Sequence, residues 1–177
     1  MRNTTIKLMS LAFVMTTSPM AMADVNGGSG KIHFTGTVID APCSIAPESI
    51  EQTIELGSVA INSLKTAGDH SRPATGEIKL VDCTLDIDED TAYSKVGVTF
   101  SGTTGSVTNL LVNDSSAQGV GVRLLDKEGE TIALNTPIEY PLGNGATITY
   151  QAYIEATGET VTAGDVRSDA TFKLTYK

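Results

Sequence analysis

Asp86, Asp88 and Asp90 are spaced like the opening of a calcium loop, in which hard oxygen ligands converge on one cation. Such a loop needs Gly at its sixth place and Glu at its twelfth, where this sequence has Thr91 and Gly97. The carboxylates therefore read as a solvated acidic loop, and no metal site is expected. Gly119-Val120-Gly121 begins like a phosphate-binding turn, but Leu124 stands where the third glycine belongs and no helix pattern follows. Nucleophilic catalysis needs a base beside a Ser or Cys, and the chain offers only His33 and His70. His33 lies in the outward phase of a candidate strand, and His70 sits in a polar loop with Asp69, Ser71 and Arg72. Both read as surface histidines, and no pair of carboxylates stands out for acid–base work. Asn113-Asp114-Ser115 fits a glycosylation acceptor, a motif common by chance. No catalytic residue and no cofactor is expected.

Two cysteines remain, Cys43 and Cys83, and their chemistry depends on the compartment. Residues 1–23 have a basic start (Arg2, Lys7), an apolar stretch from Leu8 to Val14 and the small-residue ending Ala21-Met22-Ala23. This is the pattern of a cleavable secretory signal. A membrane anchor would need about 20 unbroken apolar residues, and Thr16 to Pro19 interrupt the run. In an oxidising compartment an even pair of cysteines reads as one disulfide. Without Arg2 and Lys7 the chain keeps 10 basic against 21 acidic residues, a balance that argues against nucleic acid or an anionic membrane as partner.

The elements that would position any site are strands. Ala170-Thr171-Phe172-Lys173-Leu174-Thr175-Tyr176-Lys177 alternates without a fault, placing Ala170, Phe172, Leu174 and Tyr176 on one face. A terminal strand of this kind needs a neighbour, from this chain or another. Further strands are predicted at Gly76 to Cys83, Lys95 to Ser101, Gly119 to Asp126, Thr131 to Leu134 and Thr147 to Glu155. Turns fall at Lys127-Glu128-Gly129 and Gly143-Asn144-Gly145, and Ile61 to Ala67 could form a helical turn or two. Near the other end, the glycine-rich segment Asp24 to Gly30 reads as a flexible arm. It runs into a strand predicted over Lys31 to Ile39, with Ile32, Phe34 and Val38 in one phase. Strands at this spacing, with 17 glycines, no tryptophan and a cysteine pair, point to one all-β antiparallel sandwich of immunoglobulin type.

The order of several segments then resembles the pilins of the bacterial chaperone–usher pathway, and the major rod subunits of type 1 and P fimbriae in particular. These are Gly27-Gly28 to Val38, Asp40-Ala41-Pro42-Cys43-Ser44-Ile45, Leu80-Val81-Asp82-Cys83, Gly119 to Asp126 and Asp169 to Tyr176, with the penultimate tyrosine and Gly164 as C-terminal marks. The resemblance implies an incomplete immunoglobulin-like sandwich that lacks its seventh strand. The gap would leave a groove bordered by the first strand and the C-terminal one. It further implies that residues 1–23 are a signal peptide, 24–35 an N-terminal donor-strand extension and 36–177 the pilin domain. Gly28, Gly30, Ile32 and Phe34 would enter the groove of a neighbouring subunit. Ala170, Phe172, Leu174, Tyr176 and Lys177 would form the groove edge and chaperone contact.

The implied partners are identical or related pilin subunits, a periplasmic chaperone and an outer-membrane usher. The implied place is the cell surface, reached through the periplasm. A minor tip or adaptor pilin is the alternative within the family, and a secreted β-sandwich binding module the alternative outside it. A two-domain tip adhesin is not expected, because no lectin-sized segment separates Ala23 from the arm.

Overall fold

The computed structural model describes residues 27–88, 91–142 and 146–177. The signal-peptide reading, the start of the arm, Asp90 and the Gly143–Gly145 turn lie outside them. The chain divides into two units, the first ending at Val38 and the second running from Ile39 to Lys177.

In the first unit, residues 27–38 form neither strand nor helix, and Ile32, Phe34 and Val38 are 78%, 90% and 100% exposed. The strand expected over Lys31 to Ile39 is thus not formed. Alternation makes a segment able to pair; only a partner's backbone turns it into a strand.

The second unit is nearly all strand: β1 (Ser44–Ile45), β2 (Ala74–Val81), β3 (Asp86–Asp88), β4 (Thr91–Ala92), β5 (Lys95–Gly102), β6 (Leu110–Val112), β7 (Val120–Asp126), β8 (Pro137–Pro141), β9 (Thr147–Ala156) and β10 (Ala170–Tyr176). Its helix is one α turn, Pro47–Ile50, and one 3-10 turn, Ile61–Ser63. The strands form a five-stranded sheet in the order β1-β2-β9-β7-β6, a three-stranded sheet β10-β5-β8 and the hairpin β3-β4. All the pairings are antiparallel.

Period-two patterning explains the layers. Ile78 and Leu80 of β2, Val122 and Leu124 of β7, and Ile148 and Ala152 of β9 meet Val96, Val98 and Phe100 of β5 in one buried cluster. Register keeps like with like: Ile78 lies opposite Ile148, and Leu124 opposite Ala152. Cys43 and Cys83 are disulfide-bonded, 40 residues apart in sequence, tying the segment before β1 to the end of β2. On the chain-entropy account, closing such a loop contributes about 4 kcal/mol.

Two expectations need correction, and one strand was not expected. Asp86–Asp88 is not a free loop but half of a hairpin with Thr91–Ala92. Thr131 to Leu134 is not a strand and makes only an isolated bridge from Thr131 to Leu125, with Ile132 and Leu134 buried. The unexpected strand is Pro137–Pro141, which the prolines disguise and which forms an outer strand of the three-stranded sheet.

Candidate functional site

β10 forms one edge of the three-stranded sheet, and its hydrogen-bond phase follows from a single pair. The Lys177 N–H donates to the Lys95 carbonyl and the Lys95 N–H donates to that of Lys177, both at 3.0 Å. In an antiparallel ladder, successive residues aim their backbone groups to opposite sides. With Thr175 opposite Gly97, Lys173 opposite Thr99 and Thr171 opposite Ser101, these three threonine and lysine residues bond to β5. The N–H and C=O groups of Ala170, Phe172, Leu174 and Tyr176 therefore face away from it, and no strand pairs with them among the described residues.

The side chains alternate in the same phase. Phe172, Leu174 and Tyr176 are half-buried against the core, while Thr171, Lys173 and Thr175 are exposed. Burial pushes the Tyr176 phenol up in pKa, and its ring meets that of Tyr93 edge-on at 6.3 Å. The chain end is pinned as well, because the Lys177 carbonyl accepts from the amides of Ser94 (2.9 Å) and Lys95. Lys177 Nζ donates to Glu139 at 2.7 Å, and Lys95 Nζ donates to the other carboxylate oxygen at 2.9 Å. These two ammonium groups hold the Glu139 carboxyl down at a pKa of about 2.

Across a cavity from the start of this edge, at Ala170, is Thr53–Val59, where Ile54, Leu56 and Val59 are half-buried and Thr53, Glu55 and Ser58 exposed. The segment belongs to no strand, and among the described residues its backbone groups make no hydrogen bond within the chain. A row of backbone donors and acceptors without partners must be met by water or by another chain.

Between Thr53–Val59 and residues 164–170, the segment that leads into β10 and forms the other lip here, lies a cavity of about 780 Å³, floored by Leu111, Val122, Leu124, Tyr150 and Ile154. A second cavity of about 420 Å³ lies between Ile45, Ile50, Phe100, Tyr150 and Phe172. Tyr150 lines both. Its ring occupies the space over Gly76, where a Cβ would overlap it. Its hydroxyl, pushed up in pKa by burial, donates to Gln52 Oε1 at 3.3 Å. Gln52 Nε2 in turn donates to the Glu77 carbonyl at 2.8 Å, fastening the first lip to β2. The other lip is fastened through Gly164, where a Cβ would sit 2.5 Å from the Ala117 nitrogen, and by the Ala117 N–H donating to Asp165 O at 3.0 Å.

Unpaired backbone on β10 and on Thr53–Val59, beside an apolar floor, suits an extended peptide, in which main-chain bonds give affinity and alternate side chains give selectivity. Comparison with known proteins identifies the family. A family model described as "Fimbrial protein" matches residues 32–177. The chain belongs to this family. It is 38% identical over 190 residues to the type 1 fimbrial subunit of Klebsiella pneumoniae, with 100% of each chain covered. It is 37% identical to the type-1 fimbrial protein A chain of Escherichia coli K12, covering 97% of this chain and 96% of that one. Among solved structures, the P pilus rod subunit PapA superposes with a TM-score of 0.67 at 26% identity, covering 77% of this chain and all of that one. A subunit of a chaperone–usher pilus gives 0.70 at 27% identity, covering 88% and 99%. The fold is therefore the immunoglobulin-like pilin sandwich short of one strand, and the protein is a structural pilin of a chaperone–usher fimbria on the cell surface, not an enzyme.

Of the residues singled out in the sequence, Ala170, Phe172, Leu174 and Tyr176 come together along one edge, with Lys177 pinned beside them. Gly28, Gly30, Ile32 and Phe34 belong to the other unit, all exposed. The groove's first lip is Thr53–Val59 and not the strand expected over Lys31 to Ile39. Ile54 and Leu56 alternate with Thr53 and Glu55, a short signal that could have marked it. His70 is exposed and stacks on Tyr153 with ring centroids 4.3 Å apart, and no groups able to hold a metal ion cluster among the described residues.

Proposed function

We propose that this pilin polymerises by donor-strand exchange, the N-terminal arm of one copy completing the sandwich of the next. The observation that carries the reading is the unpaired backbone on both lips of the groove. A single inserted strand would satisfy Ala170, Phe172, Leu174 and Tyr176 on one side and Thr53–Val59 on the other. Residues 24–35 are the donor in this reading, with Ile32 and Phe34 as pocket-filling side chains and Gly28 and Gly30 in the same phase where room is short. Burying Ile32 and Phe34, both exposed in the structure, contributes about 1.5–3 kcal/mol each.

Residues 1–23 act as the export signal, and residues 36–177 form the pilin domain. In the periplasm a chaperone occupies the groove and contacts the Lys177 end, and an outer-membrane usher exchanges that strand for the next subunit's arm. Full-length likeness to type 1 fimbrial subunits supports reading the chain as a major subunit that both donates and accepts.

Deleting residues 24–34 tests the reading. The shortened subunit is expected to fold and to accept a strand, yet to form no fibres visible by electron microscopy. Long homopolymers of the shortened subunit would overturn it.

A further inference from the structure

The glycosylation-like motif Asn113-Asp114-Ser115 serves a different task, because both halves of the Asn113 amide are engaged within the chain. Nδ2, the atom a glycan would take, donates to the Ala117 carbonyl at 2.7 Å and to that of Asp165 at 3.4 Å. Oδ1 accepts from the amide of Arg167 at 2.7 Å and from that of Ser115 at 3.3 Å. Neighbouring groups join the same two segments. The Asp114 N–H donates to the Arg167 carbonyl at 2.9 Å, and the Asp165 N–H donates to Ser116 Oγ at 2.8 Å. Gly164 leaves this lip no room to retreat, since a Cβ there would lie 2.7 Å from the Ser116 carbonyl carbon. Residues 164–169 thus wall the larger cavity without belonging to any strand. The lip across from them, Thr53–Val59, makes no backbone hydrogen bond within the chain among the described residues.

We propose that Asn113 is a positioning residue that fixes the lip of residues 164–169, so that an incoming strand has only Thr53–Val59 left to order. The inference rests on the donor-strand reading and adds to it the residue that prepares the groove. A segment outside any ladder must find partners for its backbone elsewhere, and one Asn side chain supplies both donors and an acceptor. Ordering a mobile segment on binding subtracts from affinity, and a lip already in place removes that subtraction. The groove therefore has one prepared side and one that adjusts.

A fluorescent synthetic peptide of residues 24–39, titrated against the full chain and its variants, provides the test. Asn113→Ala is expected to weaken peptide binding about tenfold and to speed amide exchange at Arg167. Ser116→Ala, at an exposed position, removes a single bond to the same lip and is expected to weaken binding less, in the same direction; it carries the test if Asn113→Ala does not fold. Ile132→Val is the control, since Ile132 is buried and lines neither groove cavity. It is expected to lower the melting temperature and leave peptide affinity unchanged. Native affinity in the Asn113 and Ser116 variants, or an equal loss of affinity in Ile132→Val, would overturn the positioning role and leave the donor-strand reading standing. Failure of the peptide to bind the native chain would remove both.

Discussion

The three-stranded sheet has two edges, β8 and β10, and they are built to opposite ends. The Leu142 N–H donates to Ser94 O at 2.9 Å, which fixes the phase of β8 as Lys177 fixes that of β10. Counting back by twos, Tyr140 and Ile138 face β5, and the outward backbone positions are Pro137, Glu139 and Pro141. Two of these lack an N–H and the third carries a charge, a combination that discourages any further strand from adding. On β10 the outward positions are Ala170, Phe172, Leu174 and Tyr176, whose N–H groups pair with no strand among the described residues, and Phe172, Leu174 and Tyr176 turn apolar side chains to the core. A sheet that closes one edge by composition and leaves the other open is organised to receive one strand at one place. The same sheet thus shows how a polymerising subunit avoids indiscriminate edge pairing.

The sharpest way to break this contrast is to spoil the open edge. Leu174→Asp would set a carboxylate against Val98, its register partner, and against the buried cluster on which Leu174 packs. Arm-peptide affinity is expected to drop at least a hundredfold, about 3 kcal/mol, by fluorescence titration, with a smaller loss in the subunit's own melting temperature. Next comes exchanging the devices of the two edges. Ala170→Pro removes one outward N–H and is expected to weaken peptide binding by about 1 kcal/mol while the subunit still folds. Pro137→Ala with Pro141→Ala restores two N–H groups on β8 and is expected to produce irregular aggregates detectable by light scattering.

The smallest effect concerns the carboxylate that spans the sheet. Glu139 holds Lys95 and Lys177, so its folded pKa of about 2 lies below the ordinary 4.5. A depressed carboxyl pKa stabilises the folded state above about pH 4.5, and that contribution fades as the pH falls toward about 2. Its exposure keeps the effect small. Glu139→Gln is expected to flatten the acid limb of the melting-temperature profile and leave the neutral-pH value almost unchanged.

Much of this architecture was legible in the sequence wherever side chains alternate without interruption. β5, β7, β9 and β10 appear close to their expected bounds, and β2 begins two residues early, because each has an inward row such as Val96-Val98-Phe100 or Ile148-Tyr150-Ala152. What was hidden had a different physical basis. The prolines of β8 argue against a central strand while permitting an edge. β6 and the β3-β4 hairpin are too short to show a period. The Thr53–Val59 lip is broken by Gly57 at φ +71°, and lacking a partner it forms no strand at all. The arm taught the complementary lesson. The pattern of Ile32 and Phe34 was read as a strand, and the residues are exposed because pairing depends on what lies opposite.

The central claim is that β10 has one satisfied side and one open side, and amide hydrogen exchange reads both at single residues. In the subunit alone, the amides of Thr171, Lys173 and Thr175 are expected to be protected and those of Phe172, Leu174 and Tyr176 to exchange rapidly. Adding the arm peptide, or assembling the fibre, is expected to protect the second set without changing the first. Equal protection of both sets in the isolated subunit, or continued rapid exchange of Phe172, Leu174 and Tyr176 in the fibre, would contradict the account.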